Sequence, residues 1–254
     1  MEQKNKIALV TGGSRGLGKD MALRLAEKGV DVILTYNSKL AEAQSVMAQV
    51  EQSGRKAAAL QLNTGNIKSF DAFINELKGT LNSKFGTSQF DFLVNNAGIG
   101  GYKPINEVTE DFFDELLNVH FKGVYFLTQK ALPLMNDGGG IVNVSSGLTR
   151  VSVPGSSVYA SLKGAVEVFT RFLAKELGAR GIRANVIAPG AVMTDFGGGH
   201  LRNDEQLQKF ISSVTALGRP GVAEDIGGVV AFLCTDDARW VNGQRIEISG
   251  GMAL

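Results

Sequence analysis

Ile7-Ala8-Leu9-Val10-Thr11-Gly12-Gly13-Ser14-Arg15-Gly16-Leu17-Gly18 decides the fold. Consecutive apolar residues read as a strand buried on both faces, and a glycine-rich turn leads at once into helical period. Gly12 permits a sharp turn, Gly16 lets the backbone approach a pyrophosphate, and Gly18 lets helix and strand pack closely. The helix N-terminus then offers unpaired N–H groups and a partial positive charge to phosphate. The glycine spacing is longer than in G-x-G-x-x-G. Strand, turn and helix in this order nevertheless predict a dinucleotide site, to which Ser14, Arg15 and Leu17 also belong.

Outward from that turn, short apolar runs alternate with helical stretches. Strands are expected at 7–11, 30–36, 56–62, 90–95, 140–146, 182–188 and 244–248, and helices at 17–28, 39–53, 67–82, 107–136, 156–180 and 223–234. Seven strands linked by helices imply parallel pairing through right-handed crossovers. The prediction is a doubly wound, Rossmann-like α/β fold: a seven-stranded parallel sheet with helices on both faces. No repeat or composition break divides it, so 1–254 reads as a single domain. The least regular part, about 191–215, contains Gly197-Gly198-Gly199 and reads as a substrate lid with a glycine hinge.

Composition sets limits. The chain has 254 residues, 44% hydrophobic and 20% charged, with a net charge of +1, which argues against nucleic acid as a partner. No apolar run is long enough for a secretory leader or a membrane span, so a cytoplasmic protein is expected. Cys234 is the lone cysteine, in an apolar helical stretch that suggests inert packing. His120 and His200 are the only histidines and lie far apart, so no metal site is expected. A Ser-His-Asp triad would have to use one of them.

The end of the second strand selects the cofactor. A carboxylate there would grip the ribose 2′-OH of NAD and repel a 2′-phosphate. This chain has Thr35-Tyr36-Asn37-Ser38-Lys39 instead, and Asp31 begins the strand at the wrong end. Arg15 and Lys39 can pair with a 2′-phosphate. NADPH is therefore expected over NADH.

Tyr159 and Lys163 lie one helical turn apart on one face. A tyrosine of pKa about 10 is a poor acid–base group near neutral pH, and a nearby ammonium lowers that value. Ser145 and Ser146 end the fifth strand, at the carboxyl edge where open α/β sheets bind ligands. A short loop can bring the Ser146 and Tyr159 hydroxyls to one carbonyl.

With these residues in view, the chain resembles the short-chain dehydrogenase/reductase family over essentially its whole length. The landmarks are Thr11–Gly18, Asn95-Asn96-Ala97-Gly98, Asn118, Val144-Ser145-Ser146, Tyr159–Lys163, Asn185–Gly190 and Asn242-Gly243-Gln244. The resemblance is closest to 3-oxoacyl-[acyl-carrier-protein] reductase-like and carbonyl reductase members. It implies Tyr159 as general acid in carbonyl reduction, or base in alcohol oxidation. Lys163 would lower the tyrosine pKa and bond the nicotinamide ribose, and Ser146 would polarise the substrate oxygen. Asn118 would hold a water linking Lys163 to solvent. Asn63 would accept from adenine, while Asn95, Ala97 and Gly98 would support the sheet and flank the adenosine ribose. Pro189, Gly190, Val192 and Thr194 would cradle the nicotinamide.

Three departures stand out. Asn63 replaces a common Asp, segment 79–89 is longer than usual and reads as a surface loop, and Ser249-Gly250-Gly251 replaces Asp-Gly-Gly. The reaction implied is NADPH-dependent reduction of a ketone or aldehyde. An acidic carrier protein is ordinarily met by bases before strand five and late in the Tyr–Lys helix. Here Asp137 stands at the first place and Arg180 at the second. A small carbonyl substrate is thus ranked above 3-oxoacyl-[acyl-carrier-protein] reduction, and a non-catalytic NAD(P) sensor below both. Arg150 is the one candidate for binding a substrate carboxylate, and His200 is either a substrate contact or a solvated lid residue. Family members are commonly tetramers or dimers, and Phe121, Phe126, Phe169 and Phe172 exceed what one sheet face requires. A homotetramer is expected.

Overall fold

A computed structural model describes residues 5–254. Seven strands form one parallel sheet in the order β3-β2-β1-β4-β5-β6-β7. They are β1 (Ile7–Val10), β2 (Asp31–Tyr36), β3 (Ala57–Gln61), β4 (Phe90–Asn95), β5 (Met135–Val144), β6 (Arg183–Pro189) and β7 (Arg245–Ile248). The helices between them are α1 (Gly16–Glu27), α2 (Leu40–Gln52), α3 (Phe70–Thr80), α4 (Glu110–Leu117), α5 (Gly123–Ala131) and α6 (Ser157–Glu176). Three more, α7 (His200–Asn203), α8 (Glu205–Ser213) and α9 (Glu224–Leu233), precede the last strand. The strand order reverses beside β1, which places a ligand crevice at the carboxyl ends of β1 and β4.

Alternation along the strands builds two cores. Ile7, Leu9, Ile33 and Leu93 point to one face, where α3, α5 and α6 contribute Phe70, Leu77, Leu127 and Leu173. Ala8, Val10, Val32 and Leu34 point to the other, against Met21, Leu25, Val46 and Val230 of α1, α2 and α9. Because both faces are covered, β1 and the middles of β2 and β4 run apolar without alternation. Among the described residues no helix is long and apolar enough to cross a membrane.

Local departures from the expected elements each have a cause. The stretch 107–136 is helical from Glu110 to Ala131 but not uniformly so. A π turn, Asn118–Lys122, separates α4 from α5, and Pro133 sits in a 3-10 turn after α5. Met135 then pairs with Phe90, and the register jumps so that Phe92 faces Gly140. The segment between them, including Gly138 and Gly139, bulges at the amino edge of the sheet. Segment 79–89 is not a plain surface loop, since a π turn over Leu81–Phe85 extends α3 and buries Leu81 and Phe85 in the core. The lid region is shorter in loop and richer in helix than expected. Gly197, Gly198 and Gly199 carry φ of 61°, 83° and 72° and lead directly into α7 and α8.

Candidate active site

The glycine turn is held by its neighbours. The Gly12 N–H donates to Thr35 Oγ1 (3.2 Å) and the Gly13 N–H to the Thr35 carbonyl (2.9 Å), tying the turn to the end of β2. Asn96 Nδ2 donates to the carbonyls of Thr11 (2.9 Å) and Gly12 (3.2 Å), tying it to the loop after β4. A side chain at Gly18 would collide with the Gly12 carbonyl, so close helix–strand packing requires glycine there. Gly12 and Gly16 adopt φ of 65° and 54°.

From this turn a cleft of about 970 Å³ runs along the carboxyl edge to Tyr159. Its walls include Gly12, Ser14, Arg15, Gly16, Leu17 and Gly18 at one end, with Tyr36, Asn37, Ser38, Lys39 and Asn63 beside them. Ala97, Gly98, Pro189, Gly190, Val192 and Thr194 line the middle, and Ser146, Tyr159 and Lys163 the far end. This shape fits a dinucleotide: a cradle of N–H groups for the pyrophosphate, and two cations where a 2′-phosphate would lie. Asp31 is buried at the opposite edge, accepting from the Lys56 N–H at 2.8 Å, as its place in the strand predicted.

Two expected residues are not in the walls. Asn95 is buried, and its Nδ2 donates to Thr128 Oγ1 (3.0 Å) and Asn143 Oδ1 (2.8 Å). Its side chain points to the α5 face of the sheet and cross-links β4, β5 and α5, the sheet support expected of it, while the side chain does not line the cleft. Asn118 opens the π turn half-buried, outside the cleft walls. The extra residue of the π turn instead delivers Val119 and His120 to the cleft.

At the catalytic end, Ser146 ends β5 as the cap of a short 3-10 turn, its Oγ accepting from the Leu148 N–H at 3.2 Å. Ser146 acts to lower the pKa of Tyr159, but burial raises it more. The net shift is upward, so the phenol stays protonated, the form a general acid requires. Lys163 is buried and donates to the Val144 carbonyl at 2.7 Å, its ammonium 5.6 Å from the centre of the Tyr159 ring. Burial pushes Lys163 down to about 8. The desolvated ammonium is engaged with a backbone carbonyl, and Ser146 opposes the upward shift of the tyrosine.

His120 is the residue sequence reasoning missed. It is fully buried, its ring edge-on to Tyr159 at 4.9 Å between centroids and 85° between planes. Its Nε2 lies 2.8 Å from the Ile99 carbonyl. Burial, reinforced by the Lys163 charge and opposed by the Ile99 bond, pushes its pKa down to about 3. The sequence signal was only a histidine inside an apolar helical run.

Two further expectations are settled by ion pairs. Arg150 is not free for a substrate carboxylate: it forks onto Glu247 (2.9 and 2.7 Å) and also donates to the carbonyls of Met252 and Ala253. Arg180 pairs with Asp137 at 2.7 Å and donates to the carbonyls of Leu132 and Met135, so its charge is already committed. Cys234 is buried and its thiol pushed up to about 12, chiefly by burial. His200 stands exposed on the lid side of the cleft.

The comparisons agree with this fold. A short-chain dehydrogenase family model described as enoyl-(acyl carrier protein) reductase matches residues 12–253. An uncharacterised oxidoreductase of Methylorubrum extorquens is 38% identical over 251 residues, covering 98% of each chain. A hydroxynaphthalene reductase-like protein of Metarhizium brunneum is 37% identical, covering 97% of this chain and 94% of its own. An angucycline C-6 ketoreductase crystallised with bound NADP superposes with a TM-score of 0.93 at 36% identity, covering 98% of this chain and 95% of its own. With the family model spanning nearly the whole sequence, the chain belongs to the short-chain dehydrogenase/reductase family of oxidoreductases.

Proposed function

We propose that the protein is an NADPH-dependent reductase of ketone or aldehyde carbonyls, reversible as an alcohol oxidation, with Tyr159 as general acid. The observation that carries this reading is the convergence of Ser146, Tyr159 and Lys163 at one end of a cleft whose other end is a phosphate cradle. The cofactor supplies the hydride. The Ser146 hydroxyl orients the carbonyl oxygen, and the protonated Tyr159 hydroxyl delivers the proton to that oxygen as charge develops on it. Lys163 keeps a positive charge behind the tyrosine. Arg15 and Lys39, on the cleft wall with no carboxylate at the end of β2, favour a 2′-phosphate and hence NADPH. The NADP-bound ketoreductase supports the same choice.

The substrate end is walled by Leu148, Val151, Val153, Tyr102 and Phe196. Arg150 is already paired, so this wall presents no free cation for an anionic substrate. A planar, apolar ketone fits it best. The names of two relatives, a hydroxynaphthalene reductase-like protein and an angucycline ketoreductase, support that class. Reduction of 3-oxoacyl chains on an acidic carrier ranks second, because Arg180 is neutralised by Asp137. We place the enzyme in the cytoplasm and infer a homotetramer.

The test is oxidation of NADPH followed by its absorbance with a panel of polycyclic aromatic ketones, small aldehydes and 3-oxoacyl thioesters. Turnover with the aromatic ketones supports the reading. Cofactor binding without turnover on any carbonyl supports the non-catalytic sensor instead.

A further inference from the structure

The last residues of the chain build one wall of the substrate end. Ser249 and Met252 line the cleft together with Leu148 and Val151 of the Ser146 loop and Leu207 and Ile211 of α8. Ser249 passes so close to Gly190 that a methyl group there would meet the Ser249 Cα at 2.8 Å. Ala253 then takes φ of 53°, the only positive φ outside glycine among the described residues. A side chain makes that conformation costly, so it persists only where surrounding contacts impose it.

Two sets of contacts do so. On the lid side the tail pairs antiparallel with segment 214–217, directly after α8, with Thr215 opposite Met252. The N–H groups of Ala216 and Leu217 donate to the carbonyls of Gly251 (3.2 Å) and Gly250 (3.0 Å), and the Ala253 N–H donates to the Val214 carbonyl (2.8 Å). Thr215 Oγ1 in turn donates to the Ile211 carbonyl at 2.7 Å, which joins the tail to the last turns of α8.

On the other side stands one guanidinium. Arg150 Nη1 donates to the Ala253 carbonyl (2.9 Å) and Nη2 to the Met252 carbonyl (2.6 Å), while Nε and Nη2 fork onto Glu247. The Arg150 N–H donates to the Gly147 carbonyl at 2.9 Å, within the turn that Ser146 caps. Arg150 above all holds the Glu247 carboxyl down to about 2, so this anchor stays charged at any working pH. Leu254 is exposed, so the grip on the tail ends at Ala253. Only the planar fork of arginine can serve a carboxylate and two carbonyls at once; a lysine ammonium has no such fork.

We propose that Arg150 is a positioning residue: it clamps the C-terminal tail across the substrate end, so that Met252 becomes a fixed wall and limits the size of ketone accepted. The inference rests on the reductase reading above and deepens it. With the clamp in place, Met252, Leu207 and Ile211 form one surface fixed to the Ser146 loop. Without it the tail keeps its pairing with 214–217 but parts from that loop, and the cleft widens. The Ser146 turn itself stays fastened, since Thr149 Oγ1 still donates to Glu167 at 2.8 Å. The loss therefore falls on substrate fit and not on the chemical step.

The test compares acetophenone with a dihydroanthracenone of three fused rings in wild type, Arg150→Met, Arg150→Lys, Met252→Ala and the Arg150→Met/Met252→Ala double variant. kcat and KM are measured for each ketone, and NADPH affinity by fluorescence titration. Release of Ala253 by a carboxypeptidase, read by mass, reports the hold on the tail, and thermal melts verify folding. In Arg150→Met the ratio of kcat/KM for the larger ketone to that for acetophenone should rise about tenfold, through a higher KM for acetophenone. kcat stays within about threefold and NADPH affinity within about twofold, because the reacting groups keep their places. Ala253 is released about tenfold faster once its local hold is gone. Arg150→Lys falls between wild type and Arg150→Met. Met252→Ala shows the same change of ratio with release of Ala253 as slow as in wild type. The double variant shifts the ratio no further than either change alone, as expected of two residues acting as a unit.

The proposal is overturned if Arg150→Met loses kcat/KM equally on both ketones, or if Met252→Ala leaves the ratio unmoved. Unchanged release of Ala253 in Arg150→Met overturns the clamp whatever the kinetics. An active wild type with an unmoved ratio in both single variants refutes this inference alone. A wild type that reduces neither ketone refutes the reductase reading.

Discussion

Gly100 and Gly197 meet backbone to backbone across the mouth of the cleft. A methyl group at position 100 would collide with the Gly197 Cα, and Phe196 next to it lies over Tyr159. The loop after β4 and the lid therefore close directly on one another. Gly100→Val should wedge the lid open, raising substrate KM and lowering kcat/KM about tenfold with NADPH affinity little changed. Faster proteolytic cleavage between 195 and 204 in the variant would accompany it. Unaltered kcat/KM and unaltered cleavage would mean the contact has no part in closure.

Tyr159→Phe removes the donor and keeps the ring. We expect kcat to fall at least about 100-fold, as for loss of a positioned general acid. NADPH affinity should remain within about twofold. Ser146→Ala should lose less, because the tyrosine hydroxyl stays in place. Steady-state kinetics on the best ketone from the panel decides this.

Charge reversal at the adenosine end tests cofactor choice. Arg15→Glu combined with Lys39→Glu should raise KM for NADPH about 100-fold and leave KM for NADH nearly unchanged. An equal loss with both cofactors would place these side chains away from the 2′-phosphate.

The buried histidine makes stability depend on pH. His120 has a folded pKa of about 3 against an ordinary value of 6.5. The unfolded chain thus binds a proton that the folded chain refuses between those values. Stability from this group is fully present above about pH 6.5 and is lost as pH falls toward 3, at about 1.4 kcal/mol per unit. Denaturant titrations at pH 7 and pH 5 should differ by about 2 kcal/mol from this source. In His120→Asn that slope should flatten. A slope unchanged by the substitution would assign the acid sensitivity to other groups.

Phe172 is 60% exposed on α6, near Tyr125 and Phe169, whose rings stack at 4.6 Å. In the proposed homotetramer this aromatic surface would lie between copies of the chain. Phe172→Glu should convert a tetramer to a smaller species in light scattering at micromolar concentration. A wild type that is monomeric there counts against the homotetramer.

Strand and helix order was legible because apolar runs buried on both faces leave an unbroken signal, as in Val30–Leu34. The glycine turn, Ser146, Tyr159 and Lys163 were legible because their spacing is local. What escaped depends on a backbone irregularity or on distant pairing. Helical periodicity assumes a constant turn, so it cannot show that a π turn presents His120 in place of Asn118. Arg150 looked free because Glu247, which neutralises it, is 97 positions away in sequence. Asn95 was assigned to the cleft from its motif, although alternation along β4, with Val94 in one core, puts its side chain on the other face.

The pairing of Arg150 with Glu247 has a consequence for how the enzyme fails. Glu167 joins it, accepting from Ser145 (2.6 Å), Thr149 (2.8 Å) and Arg245 (2.8 Å), so the loop carrying Ser146 is fastened to β7. β7 is an edge strand, half-buried along its whole length. Edge strands are where fraying begins under mild denaturant. Inactivation should therefore run ahead of global unfolding, and a wide window should exist in which the protein is helical, compact and catalytically silent.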